Sequence, residues 1–205
     1  FATSEDTIRR DLRALAQAGR LTRVHGGALP ASPTHVPLAD RRGLQAEAKT
    51  ALGRKGASLI QTGQTVILDG GTTHLELVRS LDPSLRATIV THSPGIAAAL
   101  ELFDEIEVII VGGRLMRHSM VAVGAAARDT FARLRADLCF LGVTGVATET
   151  GLTTGDAEEA ALKAGMMRAA GETIVLAPPA KIGAASAWGI APLAATGTLV
   201  ATGPR

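Results

Sequence analysis

Two periods of apolar residues run along this chain. Short apolar runs rich in Val, Ile and Thr fall at residues 65–69, 88–91, 107–111, 137–143, 173–177 and 198–201, and predict strands. Between them the apolar positions recur every three to four residues, which predicts helices over 45–60, 73–81, 94–100, 125–134 and 157–169. Residues 114–123 suit a small hairpin. Strands alternating with helices in this way predict an α/β domain with a largely parallel, Rossmann-like sheet.

The first stretch follows another pattern. Ile8, Leu12 and Leu15 share one face of a helix that Ser4 can cap, with Glu5 and Asp6 in its first turn. Arg9, Arg10 and Arg13 point away from that face, and Gly19 stops the helix. Arg20, Arg23 and His25 then lie on a short extended piece closed by Gly26-Gly27. A short helix showing arginines, followed by a basic ribbon, suits the recognition helix and wing of a winged helix-turn-helix, whose arginines meet phosphates or base edges of DNA. The plainer alternative is a solvated helix with surface arginines. Phe1 is not a natural start, and the helices that would precede Ser4 are missing. The chain as it stands is therefore expected not to clamp DNA by itself. Three prolines in residues 29–43 mark a linker. The organisation expected is a truncated winged helix-turn-helix over 1–28, a linker over 29–43 and an α/β domain over 44–205.

Composition sharpens this picture in two places. The chain has 205 residues, is 46% hydrophobic but only 2% aromatic, and must build its core from Ala, Val, Leu and Ile. The net charge is +2. Five arginines against three acids put the same excess within residues 1–25, so the α/β part is balanced and shows no bulk preference for polyanions. The single Cys139 lies in an apolar run and reads as a core thiol, which excludes an internal disulfide and suits a cytoplasmic protein. Residues 182–204 carry no charge, but their glycines and prolines suit strands and loops rather than a membrane span. Trp188 is expected in the core or at a subunit interface, and Met166 and Met167 in packing. No metal or cofactor motif is present, so none is expected.

Chemistry in an open α/β sheet gathers beyond the carboxyl ends of the strands. The richest loop there is Asp69-Gly70-Gly71-Thr72-Thr73, which leaves one strand and opens a helix. Its glycines let backbone approach a ligand. The free amides of the helix start favour an anion, and two hydroxyls add donors. The lack of a following lysine excludes a Walker loop. A tight turn with a threonine cap is the alternative. Further polar loops are Thr91-His92-Ser93, Gly112-Gly113-Arg114, Gly142-Val143-Thr144-Gly145, Gly151-Leu152-Thr153-Thr154 and the segment before Lys181. Glu158, Glu159 and Lys163 either face this region or form an exposed i,i+4 pair.

Two sets of residues resemble the DeoR family of bacterial transcriptional regulators. One is Thr7-Ile8-Arg9-Arg10-Asp11-Leu12 with Val24-His25-Gly26-Gly27-Ala28. The other is the ordered loop set ending in Gly151-Leu152-Thr153-Thr154, Glu158-Glu159-Ala160 and Lys163. The resemblance covers nearly the whole chain. It implies a fold like that of ribose-5-phosphate isomerase and the CoA transferases, with no catalysis. It also implies a repressor whose DNA affinity responds to a phosphorylated sugar or related metabolite, and assembly as a homodimer or homotetramer. Thr7, Arg9, Arg10, Arg13, Arg23 and His25 would then contact DNA. Gly71, Thr72 and Thr73, with Asp69 and Gly70, would hold the phosphate. Thr91, His92 and Ser93 would line the pocket with Gly112 and Gly113. Glu159 and Lys163 would face hydroxyls or brace the site, and Lys181 would meet anionic oxygens. Two positions depart from the family pattern: His92 stands where Asn is usual, and Pro178-Pro179-Ala180 replaces an acid and a hydroxyl ahead of Lys181. An altered effector or a weakened response is the expectation from that loop. Two rival readings remain open. One is a sugar-phosphate isomerase-like enzyme on the same fold, with Asp69, Asp156 or Glu159 as base. The other is an interaction domain that has lost its ligand.

Overall fold

The computed structural model describes residues 4–24, 27–31 and 37–202. Helix α1 (Glu5–Gln17) starts where the Ser4 hydroxyl accepts from the Thr7 amide at 3.3 Å. It ends before Gly19, whose φ of 68° turns the chain out of the helix. None of its residues is buried among the described residues: Ile8 is exposed, and Leu12 and Leu15 are half-buried. Strands β1 (Leu21–Val24) and β2 (Gly27–Pro30) pair antiparallel as the expected ribbon. Part of the stretch read as linker is structured, as α2 (Leu38–Arg41), followed by α3 (Ala46–Ala57).

The α/β unit then runs through β3 (Thr65–Leu68), α4 (Thr72–Arg79), β4 (Ala87–Thr91), α5 (Pro94–Ala99) and β5 (Ile106–Ile110). The hairpin β6 (Arg114–Met116) and β7 (Val121–Val123) lies where it was expected and leads to α6 (Ala125–Arg133) and β8 (Ala136–Leu141). The chain continues through β9 (Gly145–Ala147), β10 (Gly151–Thr154), α7 (Ala157–Ala169), β11 (Ala170–Ala177), β12 (Trp188–Ala191) and β13 (Thr198–Ala201).

Six strands form one parallel sheet in the order β13-β11-β8-β3-β4-β5. Alternation along the strands sends neighbouring side chains to opposite faces. Val66, Leu68, Leu138, Phe140, Ile174 and Leu176 pack against Leu52 of α3, Leu77 of α4 and Ile96 of α5. Ile67, Cys139, Leu141 and Val175 pack on the other side against Phe131 of α6 and Leu162 and Met166 of α7. The inner strands are thus buried on both faces, which explains why they read as continuous apolar runs, while the edge strands β5 and β13 remain partly exposed. Among the described residues, no helix is long and apolar enough to cross a membrane.

Residues 151–154, read as a loop in the sequence, instead form β10, the middle strand of a second, antiparallel sheet in the order β12-β10-β9, whereas Gly142-Val143-Thr144 form the expected loop and only Gly145 enters β9. All four residues of β10 are buried, and its threonine hydroxyls are satisfied inside the fold. Trp188 lies on the edge strand β12 and is half exposed, not in the core. The chain builds outward from β3 to β5 and then returns to β8, so the sheet reverses direction between β3 and β8. The carboxyl ends of those two strands diverge into a crevice, and the site lies there.

Candidate effector site

Asp69 follows β3 and sits at the floor of the crevice with no exposed surface. Its Oδ1 accepts from the Gly70 amide at 2.7 Å and pairs with His92 Nε2 at 2.8 Å. Its Oδ2 accepts from the Gly142 amide, which follows β8, at 2.8 Å and from Lys163 Nζ at 2.5 Å. One carboxylate therefore ties together the ends of β3 and β8, the end of β4 and helix α7. Burial alone would push this carboxyl up. The Lys163 charge and the charge and hydrogen bond of His92 outweigh burial and hold it far below the usual carboxylate range.

The groups around Asp69 are equally engaged. Lys163 also donates to the Gly142 carbonyl at 2.7 Å and lies 3.3 Å from Glu159 Oε1. Burial pulls its ammonium down, but Asp69 and Glu159 raise it above the ordinary lysine value. Glu159 Oε2 accepts from the Thr154 hydroxyl at 2.8 Å, and Asp156 caps α7 through the Glu159 amide at 2.9 Å. His92 Nδ1 faces the Ala122 carbonyl at 2.7 Å, so both ring nitrogens are held by polar partners. His74 Nδ1 donates to the Asp69 carbonyl at 2.8 Å. Burial pushes its imidazolium down to about 4, with Lys181 and Lys163 adding to the effect against Asp69. His74 is therefore neutral at pH 7.

Above this floor opens a cavity. Gly70, Gly71, Thr72 and Thr73 line one wall, where α4 begins. Gly71 has a φ of 135°, and a Cβ on Gly70 would lie 2.3 Å from Val121 Cγ1, so this turn needs both glycines. Helix α4 has neither a side-chain cap nor an acid in its first turn, unlike α5 and α7, which Ser93 and Asp156 cap. Glu159 and Lys163 line the opposite wall, and Lys181 the rim. A second cavity shares Arg41, Ser119, Thr144 and Glu159 with the first and adds Asp156, Ser186 and Arg114.

Seven of the thirteen residues singled out in the sequence thus meet at one cavity, with Asp69 directly beneath it. Thr91, His92 and Ser93 do not line it. They are buried behind Asp69, where Thr91 Oγ1 accepts from the Ser93 amide at 3.1 Å and Ser93 caps α5. The histidine in place of the family's asparagine is therefore a brace for Asp69. Gly112 and Gly113 form the turn between β5 and β6 and lie outside both cavities. Pro178-Pro179-Ala180 leads into a single tight turn that still leaves Lys181 on the cavity.

Three further lining residues, Arg41, Lys49 and His74, were missed in the sequence. Lys49 could have been found, because it shares its helix face with the buried Leu52, Gly53 and Gly56, and a lysine there needs a reason. Burial first, and the Arg41 charge second, lower its ammonium, with Glu76 opposing. Lys181 is pushed down to about 7 by burial, then by Arg41, Lys163 and Lys49, against Asp69. Among the described residues, no group of three or more His, Cys, Asp or Glu could hold a metal ion.

The residues expected to read DNA lie on the other unit. Arg9, Arg10, Arg13 and Arg23 are exposed, and Thr7 bonds its hydroxyl to Ser4 Oγ at 3.0 Å. Arg9 pairs with Glu5 at 3.2 Å. His25 lies outside the described residues.

Comparison with known proteins agrees with both units. Residues 44–202 match the DeoR C terminal sensor domain, and residues 1–34 match the DeoR-like helix-turn-helix domain. An uncharacterized HTH-type transcriptional regulator FruR of Bacillus subtilis is 36% identical over 182 residues, covering 88% of this chain and 72% of its own. The glycerol-3-phosphate regulon repressor of Escherichia coli is 32% identical over 184 residues, covering 89% of this chain and 73% of its own. Among solved structures, ribose 5 phosphate isomerase A of Neisseria gonorrhoeae superposes with a TM-score of 0.50 at 14% identity, over 68% of this chain and 55% of that one. The delta subunit of eIF2B from Chaetomium thermophilum gives 0.51 at 15% identity, over 97% of this chain and 64% of its own. These structures share the fold alone, whereas the sequence relatives are regulators rather than enzymes. The chain belongs to the DeoR family of transcriptional regulators.

Proposed function

We propose that this chain senses a phosphorylated sugar or a related phosphomonoester and that the bound metabolite changes the DNA affinity of a repressor. The observation that carries the reading is the open N-terminus of α4 at Gly71–Thr73, faced across one cavity by Arg41, Lys49 and Lys181. Free amides and a helix dipole favour an anion, and three cations without a carboxylate bonded to them favour a doubly charged one. The second cavity, with Thr144, Ser186, Asp156 and Glu159, offers partners for hydroxyls on the remainder of the ligand. Lys181 keeps its place at the cavity despite the Pro178-Pro179-Ala180 replacement, which supports retained sensing. Repression by a dimer or tetramer is part of the same proposal, since paired recognition helices match paired half-sites.

The isomerase reading lacks a base. Both oxygens of Asp69 are engaged, Glu159 is held by Thr154 and Lys163, and Asp156 caps α7. Proton abstraction needs a carboxylate free to reach the substrate.

Thermal unfolding against a panel of sugar phosphates, each beside its bare sugar, tests the proposal. A ligand at about 100 times its dissociation constant adds about 2.7 kcal/mol of stability. The expected result is a shift with at least one phosphate and none with its bare sugar. Equal shifts with both members of every responding pair would refute the phosphate site.

A further inference from the structure

Arg41 stands where the sensor domain meets the chain leading to the wing, the β1–β2 ribbon. It is the last residue of α2 and lines both cavities. Its Nη2 donates to the His118 carbonyl at 3.2 Å, while its Nε is buried without a hydrogen-bond partner. Glu159 is the carboxylate that most favours its charge, yet both Glu159 oxygens are already engaged by Thr154 and Lys163. A guanidinium on a cavity-lining residue whose buried Nε lacks a partner gains by turning to an incoming acceptor, and phosphate oxygens match a guanidinium edge two at a time.

What holds Arg41 also holds the path to the wing. Helix α2 rests on the β6–β7 turn through the Leu38 amide and the His118 carbonyl at 3.0 Å, and on α3 through Lys49 Nζ and the Arg41 carbonyl at 2.5 Å. On the other side of residues 32–37, the wing is fastened to the sensor domain at Ala185. Thr22 Oγ1 donates to the Ala185 carbonyl at 2.9 Å, the Ala185 amide donates to the Pro30 carbonyl at 3.2 Å, and Ala31 bridges Ala185. The next residue, Ser186, bonds Thr144 Oγ1 at 2.7 Å, and Thr144 lines both cavities. Helix α2 and the wing are thus each hydrogen-bonded to backbone of, or next to, residues that line the cavities.

We infer that Arg41 is a ligand-binding residue, and that an anion held at Gly71–Thr73 engages its free edge and so transmits occupancy of the cavity through α2 to the wing. This rests on the phosphate reading and adds the route by which binding reaches the DNA-reading unit. It requires no change of fold, only a new partner for one guanidinium and a small shift of a four-residue helix.

Hydrogen exchange by mass spectrometry on this chain, with and without saturating inorganic phosphate, tests the inference, with thermal shift reporting binding in parallel. In the unsubstituted protein, phosphate is expected to slow exchange at residues 38–41 and in the wing at 21–24 and 27–31. Arg41→Lys keeps the charge but not the fork. It is expected to bind phosphate about tenfold more weakly, the loss of one charge-assisted hydrogen bond, and to lose the slowing in the wing. Arg41→Met is expected to lose it as well. Wing protection that survives unchanged in both variants, at phosphate concentrations that still shift their melting, overturns the role of Arg41 and leaves the phosphate site standing. Absence of any thermal shift in the unsubstituted protein, with inorganic phosphate and with every phosphomonoester tried, overturns both. Thr73→Val marks that second case, because it is expected to abolish the shift while Arg41 is intact.

Discussion

Replacing Lys163 by Met tests the architecture of the crevice floor most directly. The side chain is almost as long and fits the same space, so the change removes a charge and three polar contacts without opening a large cavity. Asp69 is then left with no exposed surface and without its nearest cation. Removing one partner of a buried pair costs about 3–5 kcal/mol. Here the lower end applies, because Asp69 keeps the Gly70 and Gly142 amides and the His92 ring. The Gly142 carbonyl also loses its lysine donor, adding about 1 kcal/mol. The expected loss is about 3–4 kcal/mol, which for a chain of this size lowers the melting temperature by roughly 6–15 °C. Calorimetry or a circular dichroism melt reads this directly. Asp69→Asn should cost a similar amount, since an amide nitrogen would then face a donor on at least one side. The double variant should be less damaged than the sum of the two singles by about 2 kcal/mol, because the second change removes a charge that the first left stranded. A loss below about 1 kcal/mol in Lys163→Met, or strict additivity in the cycle, would refute the claim that Asp69 depends on Lys163 in a dry site.

Three other outcomes follow from named groups. Lys181 titrates at about 7, and an anion beside it favours the charged form, so anion affinity should fall as pH rises above 7, by up to about tenfold per pH unit. Sulfate, whose charge is constant in this range, isolates the protein's contribution in calorimetric titrations, and Lys181→Met should flatten the profile; a flat profile in the unsubstituted protein would remove Lys181 from the site. Gly70→Ala should destabilise by about 1–3 kcal/mol and weaken phosphate binding, because its Cβ would lie 2.3 Å from Val121 Cγ1 and the turn must shift; an unchanged melt would show that the turn is loose. Cys139 is fully buried and its thiol is pushed up by burial, so Ellman's reagent at pH 8 should label it only after unfolding, and rapid labelling of the native protein would contradict the packing described.

The parts of this molecule that announce themselves in sequence are those whose signal is local. The four inner strands of the parallel sheet were legible because a strand buried on both faces is a continuous run of Val, Ile and Leu, and the edge strands β5 and β13 because their short apolar runs carry β-branched residues. The helices were legible because each buries one stripe. Strand β10 was not legible, since Gly151-Leu152-Thr153-Thr154 has the composition of a loop and becomes a buried strand only because its hydroxyls find Gly145, Ser186 and Glu159 inside the fold. By its spacing His74, just after the two threonines, was expected to point along its helix and away from the site. Its place was set by the sharp turn at Gly70-Gly71, which brings it back over the Asp69 carbonyl. Arg41 lay in a proline-rich stretch that promised only a linker, and its position depends on contacts with His118 and Lys49, neither of which is near in sequence to the α4 loop.

The charged groups of the site divide into two kinds, and that division argues for a sensor. Beneath the cavity Lys163, His92 and His74 all bond to Asp69, which ties the floor together. Around the cavity, burial lowers the proton affinity of Arg41, Lys49 and Lys181, and the Arg41 charge adds to the effect at both lysines, so these charges are held at a cost to the fold. Under the phosphate reading, a doubly charged ligand offsets that cost at charges the fold already holds in place. The relief also differs among the three. Lys181 sits on a turn of the sensor domain and Lys49 on a packed helix, so neither has far to go. Arg41 alone is mounted on a short helix joined to the wing, and any displacement the ligand causes will be taken up there.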